Sequence, residues 1–331
     1  MAVLGALAVA LAGCSSDPAD SPPPTIAPAV AADSPPVTGT PDGAVLPLPG
    51  NGVTSVFDRG TGALAVLVGD GAGAVTLAVV PAKGPVRTVA LPSPATALAA
   101  SGDGTVYAAT RGGYLRVGLT AAVPDVRRVT VDGAADVDFT AIARRGDGRL
   151  TLGSADGAVY TLRGDDTVAA RLPLFARVDA LAAQGDTVVV LDRGQTSVTT
   201  VDPAGDEADH ALRAGEGATT IAADAAGRVL VADTRGGALL VFGADPLMLR
   251  QRYPVGGAPY GLTGSGRLAW VSETATNSVV GYDLATGIPV EKARYRTVRQ
   301  PNSLSFDDAS NTLFVVSGAG GGVQVIREAV T

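Results

Sequence analysis

The chain has one histidine, one cysteine, two methionines and one tryptophan in 331 residues. Zinc, copper and haem centres draw on several imidazole or sulfur ligands, so this stock leaves almost no material for a transition-metal site. Lysine is scarce as well. Lys83 and Lys292 are the only two, the rest of the 25 basic residues are arginine, and no stretch strings several together. With a formal net charge of −7 the basic footprint of a nucleic-acid binder is missing, which excludes DNA and RNA as partners. Charged residues make up 17%, below the roughly 25% of an average domain, which argues against coiled coils and helical bundles. A P-loop, a dinucleotide fingerprint, an EF-hand loop, an HExxH helix and a Gly-x-Ser-x-Gly elbow are all absent. What the chain has in quantity is glycine, 43 residues, with 46% hydrophobic residues. That composition fits short strands joined by tight turns, an all-β protein long enough for a sizeable core.

Residues 1–13, MAVLGALAVALAG, form an uncharged apolar run too short for a bilayer, which needs about 20 residues, and read as a signal-peptide core. The run ends Leu11-Ala12-Gly13-Cys14 and continues Ser15-Ser16-Asp17, a pattern that resembles the bacterial lipobox, with Cys14 as the lipid acceptor. Nothing basic precedes Cys14, whereas secretory signals open with Lys or Arg, so the expected translation start lies upstream of residue 1. Two or three acyl chains hold a protein on a membrane where one binds marginally. The expectation is therefore an exported protein held at the outer leaflet of the plasma membrane. Residues 14–42, rich in Pro, Ser, Asp and Ala, show no hydrophobic periodicity and read as a tether. Its about 28 residues would reach roughly 30 Å as a coil and roughly 85 Å as polyproline helix.

Residues 43–331 carry a repeat. A strand of small residues ending in Val, Leu or Ile recurs at 53–56, 95–98, 139–142, 178–181, 218–221, 259–262 and 301–304. The period, near 41 residues, matches one four-stranded propeller blade, and seven anchors give seven blades. Within each unit the anchor is followed by a polar turn, a β run, a Gly-rich turn, a second β run and a more polar outer run. Asp-Gly and Gly-Gly pairs at these turns are hairpin signals. The seventh unit lacks an outer strand while Ala44–Leu48 lacks a partner, so the two are expected to pair and close the ring. The fold expected is a seven-bladed β-propeller whose last blade is completed by an N-terminal strand.

The segment VLVADTRGGALLVFGADP at 229–246 resembles an NHL repeat, and NSVVGYDLATGIPVEK at 277–292 resembles the YVTN repeat of surface-layer proteins. The chain as a whole resembles the LppL-type family of mycobacterial lipoproteins through FTAIARR and LGSADGAVYTL at 139–162, VVLDRGQTSVTT at 189–200, ADTRGG at 232–237 and QPNSLSFDDASNTLFVVSG at 300–318. That resemblance implies a propeller in the actinobacterial envelope and brings no activity with it.

Candidate chemistry is sparse. The single histidine, His210, falls in an outer run, away from any nucleophile, so a Ser-His-Asp hydrolase is excluded. Loops between second and third strands, and the links between blades, open on one face of a propeller. Asp138 and Asp179 lie in blade links, and Asp192, Asp233 and Glu273 end second strands. Such a ring of acids would hold Ca²⁺ or supply a general acid and base, and each acid would equally serve to cap its own turn. Arg111, Arg177, Arg193 and Arg235 recur at the same edge, either as a fork for carboxylate or phosphate or as clips to neighbouring Asp. Tyr260 and Asn302, at matched positions, are expected at the same mouth, and Trp270 in the core.

The function these features support first is a lipid-anchored module that binds an envelope protein or polymer, without catalysis. A metal-assisted hydrolase or lyase of lactonase type and a passive structural lipoprotein stand as alternatives. No cofactor is expected beyond a possible Ca²⁺.

Overall fold

The computed structural model describes residues 24–69, 74–121 and 123–330, all strand, turn and extended chain, with no helix among them. Cys14 and the signal segment 1–13 lie outside the described residues. Among the described residues no helix is long and apolar enough to cross a membrane. Every sheet is antiparallel, and five contain four strands. The sixth has seven because its strand Arg87–Ala100 serves twice. Residues 87–90 pair with Ala74–Val80 as an outer strand, and residues 95–100 pair with Thr105–Thr110 as the next inner one. Counted as four-stranded units, the sheets number seven, each built from hairpins in chain order.

The last sheet has a different composition. Pro301–Asp307, Thr312–Ser317 and Val323–Ile326 are joined by Ala44–Leu46, paired Ala44 to Val325 and Leu46 to Val323. The outer strand missing from the seventh repeat is thus supplied by the start of the chain, over three residues and not five.

Burial follows position in the blade. Middle strands are covered by both neighbouring blades, so Ala63–Val68 is buried at every residue and reads as a continuous apolar run. Outer strands alternate, as in Val168–Pro173, because one face meets solvent. The buried side chains of the described residues fall into seven clusters, each shared by two adjacent blades. One joins the seventh blade to the first through Phe314, Val316 and Val323 against Leu64, Val66 and Val80. Trp270 is fully buried between the sixth and seventh blades, stacked on Tyr295 and Phe306 with ring centroids 6.1 and 6.0 Å away.

Toward the axis, polar latches replace apolar packing. Thr96 Oγ1 donates to Phe139 O, Thr140 Oγ1 to Val178 O and Thr220 Oγ1 to Tyr260 O, each reaching the inner strand of the next blade. Ser55 meets Ser303 and Ser305 across the first and last blades. The Thr-rich inner strands therefore do more than fit a tapering space. They satisfy carbonyls that the ladder leaves free.

Packing between blades outweighs these latches in energy. Trp270→Ala is expected to cost about 3–5 kcal/mol through the cavity it opens, and Thr140→Val about 1 kcal/mol for one hydrogen bond. Urea unfolding of the two variants measures both, and a latch cost equal to the tryptophan cost would contradict this ranking.

Candidate functional site

One face carries the turns between second and third strands together with the links from blade to blade. Across this face runs the Pro-rich segment expected to be a free tether, docked from Ile26 onward. Ile26 N donates to Gly194 O at 2.8 Å in the fourth blade. Arg235 Nη2 donates to Ala27 O at 2.7 Å, and Arg193 Nη2 donates to Ala29 O. Farther along, Ser34 is buried, its hydroxyl donating to Thr274 O and its amide to Gln300 Oε1 at 3.0 Å. Asn277 Nδ2 holds Pro35 O at 2.8 Å, Gln300 Nε2 holds Ala32 O, and Arg299 Nε reaches Ser34 O. Asp42 then pairs with the backbone of Arg296 in the sixth blade, just before Ala44–Leu46 begins. Prolines remove donors but leave carbonyls, and a polyproline-like chain has little conformational freedom left to lose on docking. The absence of periodicity excluded a sheet strand without excluding this strap.

The arginine candidates are therefore occupied within the molecule. Arg193 and Arg235 hold the strap, Arg111 pairs with Asp138 at 2.9 Å and Asp136 at 3.3 Å, and Arg177 pairs with Asp179 at 3.1 Å. None of the four is among the residues that line the central channel. Asn277, Arg299 and Gln300 were not singled out from the sequence. The structural signal that sets two of them apart is a left-handed backbone at a non-glycine residue, φ 50° at Asn277 and 56° at Gln300.

The acid candidates divide by position. Asp192 and Asp233 are about 1% and 0% exposed, and their oxygens accept backbone N–H groups from the link that enters their own blade. Ala176 N and Arg177 N donate to Asp192, and Glu216 N and Gly217 N to Asp233. Each also caps its own turn, through Gln195 N and Gly236 N. Glu273 accepts from Ser278 Oγ and Arg294 Nη1, both at 2.7 Å. Asp138 stays exposed beside Arg111. Among the described residues no group of three or more His, Cys, Asp or Glu side chains is placed to hold a metal ion.

The inner strands enclose a central channel of about 450 Å³, lined by Thr96, Thr140, Asp179, Thr220, Tyr260 and Asn302 among others, with Arg59 at its far end. Tyr260 and Asn302 both lie along this channel. Asp179 is the single acid candidate that lines this space. Burial pushes its carboxyl above the ordinary value, against the pull of Arg193 N–H and the guanidiniums of Arg193 and Arg177. The opposite face, which carries the first-to-second and third-to-fourth strand turns, opens onto a second hollow of about 420 Å³ bounded by Arg59, Ser101 and Arg144. His210 sits exposed on the outer strand Ala208–Arg213 of the fourth blade, far in the fold from either opening.

No family model matches the chain, and no curated protein matches it in sequence. Solved structures match in fold. A streptogramin B lyase structure superposes with TM-score 0.68 at 9% identity, over 85% of this chain and 96% of that one. A catalytically inactive virginiamycin B lyase from Staphylococcus aureus with quinupristin superposes with TM-score 0.67 at 11% identity, over 85% and 97%. The WD40 β-propeller domain of Doa1 gives 0.68 at 11% identity, over 87% and 97%. At these identities the likeness establishes a β-propeller and nothing finer.

Two predictions follow from this geometry. Replacing Arg193 and Arg235 together by Ala is expected to speed thermolysin cleavage at Ile26 and Val30 by about tenfold or more, since two donors to the strap are lost. An unchanged cleavage rate would show that the arginines do not hold it. Asp179 has a raised folded pKa, so the native state binds the extra proton and Asp179 stabilises less as pH climbs above the ordinary carboxylate value. Asp179→Asn is therefore expected to match wild type near pH 3.5 and to gain stability relative to it by pH 7, read as Tm against pH. A variant that loses ground as pH rises would reverse the sign.

Proposed function

We propose that the protein is an exported, lipid-anchored β-propeller of the LppL type, which binds an envelope protein or polymer through its loop-bearing faces and transforms no substrate. The observation that supports this best is how the carboxylates are used. Asp192 and Asp233 are saturated by backbone donors and Glu273 by Ser278 and Arg294, so spending any of them on proton transfer would cost the blade links that they hold. The channel is lined by hydroxyls, amides and apolar side chains, with Arg59 at its far end and Asp179 as the one acid, itself bonded to Arg177 and Arg193 N. A rigid wheel with pre-formed loops suits recognition, since little ordering is lost on binding.

The lyase reading rests on the fold shared with streptogramin B lyase and on Asp179 facing the channel. One of the matched lyase structures is made catalytically inactive by a histidine-to-alanine replacement. The one histidine of this chain lies on an outer strand instead.

Mass spectrometry of the mature native protein is expected to find Cys14 acylated and the preceding residues removed. Photo-crosslinking groups introduced at Arg59 and Arg144, which bound the second hollow, are expected to give a discrete adduct in intact cells, and a group at His210 none. Adducts from all three positions alike would remove the support for recognition at the openings. A Ca²⁺-dependent rise in Tm, or conversion of quinupristin by the purified protein, would favour the lyase instead.

A further inference from the structure

The docked strap changes the geometry of anchoring. Resting on the proposed lipidation of Cys14, about 12 residues of sequence, not 28, separate the acylated cysteine from Ile26, which is bonded to the propeller. A coil of that length spans about 20 Å, and a fully extended polyproline stretch about 37 Å. Ile26 itself is fixed at the turn around Gly194, on the strapped face.

The outer side of the strap is itself apolar. Ile26, Val30 and Val37 are exposed at 45%, 71% and 37%, three large aliphatic side chains within twelve residues, on a segment whose polar backbone is turned inward to its donors. Val53 and Leu174 on the same face are also exposed. Charges of both signs lie there, Arg111, Arg177, Arg193 and Arg235 beside Asp33, Asp136, Asp138, Asp156 and Glu216, so no field of a single sign faces a lipid headgroup layer.

We infer that the strapped face is a lipid-docking surface: the short linker draws it to the bilayer, and Ile26, Val30 and Val37 enter the interface between headgroups and acyl chains. The opposite face, with Arg59 and the second hollow, then points away from the membrane and is the one that meets a partner. Because the attraction is apolar, the orientation is insensitive to ionic strength, unlike that of a polybasic surface.

The test uses the mature chain, residues 14–331, coupled through its sole cysteine to maleimide-bearing phosphatidylcholine vesicles whose acyl chains are brominated near the headgroup. Coupling is chemical, so the outcome does not depend on whether cells lipidate Cys14, which mass spectrometry decides separately. Val30→Trp and Val37→Trp each add an exposed reporter on the strap, and Val123→Trp adds one at the 82% exposed turn of the other face, while buried Trp270 is common to all. The strap reporters are expected to lose about half of their emission to the brominated lipid, as a side chain 5–10 Å deep would. The Val123→Trp reporter is expected to lose none, and 0.5 M salt to change neither. Equal quenching on both faces, quenching only at the Val123→Trp reporter, or none anywhere would overturn the inference. So would loss of strap quenching in salt.

Discussion

A wheel made of consecutive hairpins has one seam that local pairing cannot close, and here a three-residue strand closes it. Ala44–Leu46 alone is marginal, since short strands gain little from a ladder. What makes it sufficient is the chain that leads into it. Gln324, fully buried on the neighbouring strand, accepts Val298 N with its carbonyl and gives its amide to Asp42 O and Arg296 O. One side chain thus stitches the strap, the sixth blade and the seventh. Upstream, the strap is held over the fourth to seventh blades by donors that those blades project.

The bonding of the strap also decides what the rest of the face can do. A chain rich in proline presents carbonyls, and side chains with several N–H groups are the natural complement. Arginine, asparagine and glutamine supply them, at the positions where a ligand-binding reading would look for free guanidiniums. Residues that look functional by type and repetition are thereby committed to architecture. The recognition capacity that remains lies in the channel and on the opposite face.

Much of the fold was legible because each signal is local. The period near 41, the glycine turns, the buried middle strands such as Ala63–Val68 and the burial of Trp270 all express neighbours within one or two blades. The pairing of Ala44–Leu46 was legible by counting strands, one spare at each end. The use of the strap was not. Its partners Arg235 and Gln300 are 208 and 266 residues away from Ala27 and Ser34, and no spacing rule links a donor to a carbonyl across such distances. The acids show the same limit. Asp192, Asp233 and Glu273 were placed correctly at the ends of second strands, yet whether they face a ligand or a backbone amide depends on the path of the entering link.

The central claim is that residues 26–42 belong to the folded unit. Three backbone amides of this segment donate to the propeller or its side chains: those of Ile26, Ser34 and Asp42. Amide hydrogen exchange measured residue by residue tests the claim directly. The account predicts slow exchange at these three positions, at least about a hundredfold below the unstructured rate, with exposed neighbours such as Val30 exchanging fast. Exchange at the unstructured rate at all three would make the segment a tether after all, and the strap with its consequences would fall.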